Sequence, residues 1–535
     1  MSSLLQVLEE KQTIPFHPFS LFLTILFSYF LFLFVFNGFS NFTRRSTQAK
    51  EYRLPPSPFK LPIVGNLHQL LLSSPNMHRT LRSLSQCHGP LMLLQLGNIP
   101  TVVVSSPDIA REILKTHDII FASRPKVIAA ERLLYNYKDL ASAPYGEYWR
   151  QVRKICILQL LSVKKVQSFR RVREEETALL IENIRRSCFS SPSLSAPVNL
   201  SESLVSLTND IICRVAFGRK YSGGEGGRRF RRLMSEFGAL LGMFNVGDYI
   251  PSFAWVNYFN GLNTRLEKTF RELDCFLDQV VKDHVDRKKK KENGDGVDED
   301  DLVDTLLEIA EDGTIGIPLE TENIKAIILD MFAAGTDTTY TVMEWVMAEL
   351  LKHPEAMKEL QEEVRSVSGS GGKPIVTQDE TERMGYLKLV IKETLRLHPP
   401  LALLVQREAS EDVKIQGYDI PAKTRVIINA WAIGRDGGSW EEAEEFKPKR
   451  FLMSRNDLVD FNGREVRYIP FGAGRRGCPG TQFGMAVNEL VLANLVNSFD
   501  WKLPGGASAR DLDMTEGSGG TIHKKLPLLA VATPH

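Results

Sequence analysis

Six cysteines are scattered through 535 residues, at 87, 156, 188, 213, 275 and 478, with no two closer than 25 positions. That spacing excludes a disulfide scaffold and any CxxC zinc or redox motif. It fits mostly buried thiols in a reducing compartment, with at most one doing chemistry. Charge of one sign is also missing: 66 Lys and Arg against 65 Asp and Glu leave a net charge of +1. A nucleic-acid partner held by phosphate neutralisation is therefore not expected. No segment repeats at a period of 20–50 residues, which removes solenoids and propellers. What is present is 43% hydrophobic and 24% charged, a mix that builds a large core and excludes wholesale disorder. The length alone allows several domains or one large one.

From Gln12 to Thr43 there is no Asp, Glu, Lys or Arg, and Phe19–Phe36 is almost purely Phe, Leu, Ile and Val. Eighteen helical residues span ~27 Å, the hydrocarbon thickness of an endoplasmic reticulum bilayer. A cleaved signal peptide fits poorly: the run is too long, Glu9 and Glu10 precede it, and no small-residue cleavage site follows. Arg44, Arg45, Lys50 and Arg53 follow directly, so the positive-inside rule places the body in the cytosol. Residues 1–45 are expected to be a single-pass membrane anchor. Pro55, Pro56, Pro58, Pro62 and Gly65-Asn66 make 46–66 a stiff neck, and 67–535 forms the body.

Leu91 to Val104 reads as a hairpin turning at Gly97-Asn98. Helical patterns then dominate, over 107–116, 147–161, 163–186, 200–217, 263–290, 321–352, 354–367, 384–397 and 480–499, with short strands near 413–416 and 425–429. The expected fold is mainly α with a minor β region. The basic run Arg287–Lys291 and the acidic, glycine-containing run to Asp301 read as a solvated surface loop. Ser366–Gly372 is a flexible connector. It is no phosphate loop, since Lys373 precedes Pro374 and Val367 stands where the first glycine is needed.

The most informative segment is Pro470-Phe471-Gly472-Ala473-Gly474-Arg475-Arg476-Gly477-Cys478-Pro479-Gly480. Gly472–Gly477 matches the dinucleotide pattern GxGxxG, with Asp500 about 23 residues on. Too little chain follows to complete a doubly wound sheet, and Pro470 suits no central parallel strand. In the second reading the glycines let the backbone turn tightly around something flat, with Pro479 as first helical residue. Cys478 then meets a helix N-terminus and two arginines, which favour a thiolate able to ligate iron.

FGAGRRGCPG fits FxxGxRxCxG at Phe471, Gly474, Arg476, Cys478 and Gly480, and on this segment the chain resembles the cytochrome P450 superfamily. Other segments agree, in family order. Thr321–Lys352 reads as one long helix stopped by His353-Pro354. Ala334-Gly335-Thr336-Asp337-Thr338-Thr339 at its middle weakens the helix. That reads as a local opening with polar groups facing a cavity, or as a tight helix crossing built on small residues; the resemblance makes Asp337 and Thr338 a catalytic acid–alcohol pair. Glu393-Thr394-Leu395-Arg396 resembles the family's ExxR, with Arg450 as third member of a buried, fold-stabilising trio. Trp149 and Arg153 match WxxxR. With Arg407, Arg476 and Phe471 they are implied cofactor contacts, the arginines pairing with haem propionates. The departures are modest: Lys449 stands where the family has Glu, Gln406 where Pro precedes Arg-Glu, and Gly437 where Pro follows Asp.

The fullest resemblance is to plant microsomal, A-type members of specialised metabolism, though the stretch before the anchor is longer than usual. It implies a P450 fold in 67–535, haem b (iron protoporphyrin IX) on Cys478, and a monooxygenase fed electrons by NADPH–cytochrome P450 reductase. The implied substrates are O2 and a small apolar molecule (terpenoid, phenylpropanoid or alkaloid precursor). Its recognition is expected in Ala122–Ala143, Leu240–Val246, Met331–Thr338, Pro400–Val405 and Glu516–Thr521. The alternatives are a haem-thiolate isomerase or dehydratase working without a reductase, and a non-catalytic haem-binding protein.

Overall fold

Leu91–Leu96 and Ile99–Val104 form an antiparallel hairpin in which Leu96 faces Ile99, so Gly97-Asn98 alone makes the turn. Gly97 has φ +59°, and a Cβ there would lie 2.5 Å from the Tyr249 carbonyl, which explains the glycine. The second strand pairs in parallel with Arg425–Ile428, and Arg407–Glu408 closes the far edge. A second sheet places Leu529–Pro534 between Val198–Asn199 and Phe499–Lys502, and Val413–Ile415 pairs with Tyr418–Ile420.

The computed structural model describes residues 52–73, 76–190, 196–221, 224–292, 300–313, 316–369, 375–452, 460–461 and 463–535, with Ile25, Ser28 and Tyr29. Two units divide the chain. One comprises Met1–Arg53 and Leu61–Ile63; the other, Leu54–Lys60 with Val64–His535, holds every element discussed below. Among the described residues no helix is long and apolar enough to cross a membrane. The apolar run 19–36 lies outside them except for Ile25, Ser28 and Tyr29, which are helical and exposed.

The centre of the body is the helix Thr321–Lys352, about 48 Å long. Every residue from Thr341 to Leu351 is buried, the pattern of a helix surrounded by others. Its two carboxylates there are paired: Glu344 accepts the Lys524 amide at 3.0 Å and Glu349 meets His398 Nε2 at 2.6 Å. The helix stops at His353, and Pro354 opens the next one, Pro354–Ser368.

Against it lie Leu200–Phe217, Gly385–Leu397 and Thr481–Ser498, each within a residue or two of the bounds read from the sequence. Several elements differ. The pattern over 147–161 gives an α-helix only to Ile155, followed by a π-turn over Cys156–Leu160, and that over 163–186 breaks at Phe169. Helices Gly224–Leu241 and Leu302–Asp312 were not read from the sequence.

The charged run before Leu302 is not wholly a solvated loop. Residues 293–299 lie outside the described ones, but Asp301 is buried and caps Leu302–Asp312 through a reciprocal bond with Asp304. It also accepts His284 Nε2 at 2.8 Å and Arg287 at 2.7 Å. Pairing cancels the cost of burying these charges, so they turn inward.

The ExxR trio forms as read. Glu393 is fully buried and accepts Arg396 Nε and Nη2, Arg450 Nε and the Lys447 amide, all at 2.8 Å. The remaining guanidinium hydrogens go to carbonyls of Gly434, Ala443, Glu441, Glu442 and Glu445. Lys449 turns away and pairs with Glu359 at 2.9 Å on the surface, so the departure there leaves the network untouched.

Candidate functional site

The cysteine loop is folded by its glycines. Gly472 and Gly474 have φ +69° and +70°, and a Cβ at Gly474 would fall 2.2 Å from the Leu114 carbonyl. The Arg475 amide donates to Asp118, and the Cys478 amide donates to the Phe471 carbonyl at 2.9 Å. Gly480 caps the following helix, which begins at Thr481; Pro479 therefore precedes the helix and is not its first residue. Cys478 is exposed and lines a cavity of about 270 Å³. Desolvation by the surrounding protein pushes its thiol up. It outweighs the amides of Gly480 and Thr481, the Thr481 hydroxyl and Arg153, all of which pull it down. The helix-end amides and Arg153 pull toward the thiolate, in line with the reading from sequence, and a bound metal cation would add to that pull.

Three buried guanidiniums and a half-buried one, Arg153, ring the same cavity. Arg476 donates to the carbonyls of Ala122 (2.7 Å), Leu140 (3.1 Å) and Ala143. Arg407 donates to Ala473 (3.0 Å) and lies 3.6 Å from Asp118. Arg153 donates to Gly477 at 2.7 Å. Arg124, not singled out in the sequence, donates to Ala141, Val405 and Gln406 at 3.0, 2.6 and 2.8 Å. Burial, then mutual repulsion, drives Arg476 down to about 9 and Arg124 well below its ordinary value. Burial also takes Arg407 to about 10 and lowers Arg153. Such crowding of cations calls for anions. An apolar cavity rimmed this way suits an apolar ligand that carries anionic groups.

Trp149 lines the cavity, but its indole N–H is spent on the Leu140 carbonyl at 3.1 Å, and its ring carries Arg476 at 4.2 Å. It aims an arginine and offers no free donor of its own. Phe471 lines the cavity and packs edge-on to Phe461 at 5.5 Å.

The central helix passes through Gly335 without opening: Thr338 donates to the Ala334 carbonyl at 2.6 Å and Thr341 to that of Asp337 at 2.8 Å. A Cβ on Gly335 would meet Ile212 Cδ1 at 2.6 Å. The glycine therefore serves a close crossing with Leu200–Phe217, while Thr338 lines the cavity. Asp337 does not line it. Its carboxylate accepts the Thr521 hydroxyl at 3.2 Å, and burial raises it against the pull of Thr521 and His523.

Three of the expected recognition segments line the cavity, through Leu140, Met331, Ala334, Leu401 and Val405 among others. Leu240–Val246 and Glu516–Thr521 do not; they meet each other, a Cβ on Gly242 falling 3.2 Å from the Gly520 amide. Glu516 is tied to His78 at 2.9 Å and Arg79 at 2.6 Å, which, against its burial, hold it down to about 2. Ile212, Val215 and Leu302 line the cavity instead. Their helical periodicity marks core and carries no sign of a cavity, and Arg124 stands in a stretch with no periodic pattern.

A thiol on an apolar cavity, rimmed by guanidiniums and lined by a hydroxyl-bearing helix, suits a haem-thiolate site. Residues 55–530 match the family model described as Cytochrome P450. The chain is 52% identical to Cytochrome P450 736A117 of Prunus mume, over 99% of each chain. It is 54% identical to Cytochrome P450 71A1 of Persea americana, over 88% of this chain and 91% of that one. Norfluorocurarine oxidase of Strychnos sp is 51% identical over 89% and 92%. A zebrafish cytochrome P450 solved with abiraterone superposes with TM-score 0.70 at 25% identity, covering 86% of this chain and all of that one. The chain belongs to the cytochrome P450 family. It is a monooxygenase with haem as its cofactor.

Proposed function

We propose that the protein is an endoplasmic reticulum monooxygenase, anchored by residues 1–45 with its body in the cytosol, that oxygenates a small apolar plant metabolite. The observation that carries the reading is that Cys478 and Thr338 line one cavity, from the cysteine loop and the central helix. Haem bound there supplies O2 activation, one oxygen atom entering the substrate and the other leaving as water. Cys478 would ligate the iron, and Arg124, Arg153, Arg407 and Arg476 would hold the two propionates, with Trp149 and Phe471 packing the rim. Thr338 holds a proton on its hydroxyl at the cavity wall. Asp337, raised by desolvation, sits one residue away with its carboxylate accepting the Thr521 hydroxyl, where it would take up and pass on a proton. Met331, Ala334, Leu401 and Val405 exclude water and orient an apolar molecule.

Electrons would come from NADPH through cytochrome P450 reductase. Exposed Arg475, Lys115 and Lys154 around the cysteine loop suit an acidic docking face. The apolar lining keeps alkaloid precursors, terpenoids and phenylpropanoids as candidates, and one relative is named for oxidising norfluorocurarine. A panel of such compounds is to be screened for spin-state shifts in microsomes, then for NADPH-dependent oxygenated product with reductase present. Conversion without NADPH or reductase would overturn the reading in favour of an isomerase or dehydratase. Cys478→Ala is expected to abolish the reduced-CO band typical of a thiolate-ligated haem.

A further inference from the structure

Asp330, on the central helix, is absent from the motifs above yet lies half-buried at the cavity wall. Its Oδ2 accepts two consecutive backbone amides, Leu140 at 2.5 Å and Ala141 at 3.2 Å. The carbonyls of the same two residues face the opposite way. That of Leu140 receives Arg476 Nη1 and Trp149 Nε1, each at 3.1 Å, and that of Ala141 receives Arg124 Nε at 3.0 Å.

The segment could not hold this arrangement alone. Just before it, Tyr135, Asn136 and Tyr137 run in the left-handed region at φ 50°, 57° and 63°, a run that survives only where surrounding contacts impose it. Outside ties do so: the Tyr135 hydroxyl donates to Asp274 at 2.8 Å and that of Tyr137 to the Val127 carbonyl at 3.1 Å. Asp330 supplies the tie nearest the site.

We propose that Asp330 is a positioning residue whose carboxyl oxygen fixes the Leu140–Ala141 peptides, so that their carbonyls, with Trp149 packed beside them, aim Arg476 and Arg124 at the haem propionates. The central helix, which carries Thr338, and the guanidinium rim are thereby set by one shared pair of peptides. The proposal rests on the guanidinium rim holding haem, as argued under the proposed function. The role needs an acceptor oxygen, which asparagine keeps while removing the charge; burial and neighbouring Asp139 push Asp330 up, against Leu140, Ala141 and Arg476.

The test uses the full-length holoenzyme and its Asp330→Asn, Asp330→Ala and Arg476→Leu variants, read by haem transfer to excess apomyoglobin and by hydrogen exchange at the Leu140 and Ala141 amides. Asp330→Ala is expected to lose haem at least ~10-fold faster, the range seen when a partner behind a ligand is removed, and to lose amide protection. Asp330→Asn is expected to keep both near wild type. Haem retention unmoved in Asp330→Ala, with Arg476→Leu losing haem, would overturn the coupling. Retention unmoved in both would overturn the rim reading and this one with it. Asp330→Asn as leaky as Asp330→Ala would also overturn it, since charge and not the acceptor would then be acting.

Discussion

Glu393→Gln isolates a single atom's charge in the least exposed ionic network of the fold. The wild-type carboxylate accepts four bonds of 2.8 Å from Arg396, Arg450 and the Lys447 amide, with no solvent contact. Glutamine keeps the volume but loses the charge, and it turns one acceptor into a donor facing guanidinium hydrogens. Two buried cations are then left without their counter-ion, which costs roughly 3–5 kcal/mol. That is a large part of the ~5–15 kcal/mol that holds a native domain together. Urea unfolding of the haem-loaded protein should show the loss as a lowered midpoint with unchanged slope. Lys449→Glu is the control: one residue from Arg450, it breaks only the exposed pair with Glu359 and should cost no more than about 1 kcal/mol. A Glu393→Gln loss below about 1 kcal/mol, or equal to that of Lys449→Glu, would refute the reasoning.

Thr338→Ala should keep haem and its spectrum while diverting electrons to peroxide; an unchanged ratio of product to NADPH consumed would remove the hydroxyl from proton handling. Gly335→Ala should destabilise by about 1–3 kcal/mol, because its methyl meets Ile212 Cδ1. Ile212→Val in the same chain should restore much of that, and strict additivity in the double-mutant cycle would contradict the crossing. His284 donates Nε2 toward Asp301 at 2.8 Å and Nδ1 toward the Val280 carbonyl at 2.6 Å, so both nitrogens face acceptors. Burial alone would lower its pKa, but Asp301 raises it above the ordinary value. The stability it gives is present below the unfolded pKa and is lost as pH rises through the raised folded value. The urea midpoint should fall across that window, and His284→Gln should flatten the fall.

Much of this was legible because local chemistry left few options. Gly97-Asn98 between apolar alternations permits only a two-residue turn, Pro354 ends the central helix, and the cysteine loop's residues stand at fixed spacings that a tight fold enforces. What stayed hidden depends on neighbours distant in the chain. Gly335 looks like a helix opening until Ile212 is placed against it. Asp337 looks cavity-facing until Thr521 arrives from the C-terminal segment to take its carboxylate. Asp301 reads as part of a solvated acidic run, and only His284 and Arg287, from another helix, make its burial tolerable. Cys478 shows a further limit: spacing singles out the cysteine, but the desolvation that raises its thiol comes from segments that only the finished fold brings around it.

The parallel ladder between Ile99–Val104 and Arg425–Ile428 has a cost during synthesis. The hairpin leaves the ribosome early, yet the strand that covers its outer edge lies more than three hundred residues later. At ~5–20 residues per second, that edge of Thr, Val and Ile waits roughly 15–60 s for its partner. An uncovered, flat, apolar strand is a template for pairing with other chains. Nascent molecules stalled before residue 425 should therefore be the species that clump, and slower, cooler expression with ample chaperone should favour soluble yield more than any change at the surface of the finished protein.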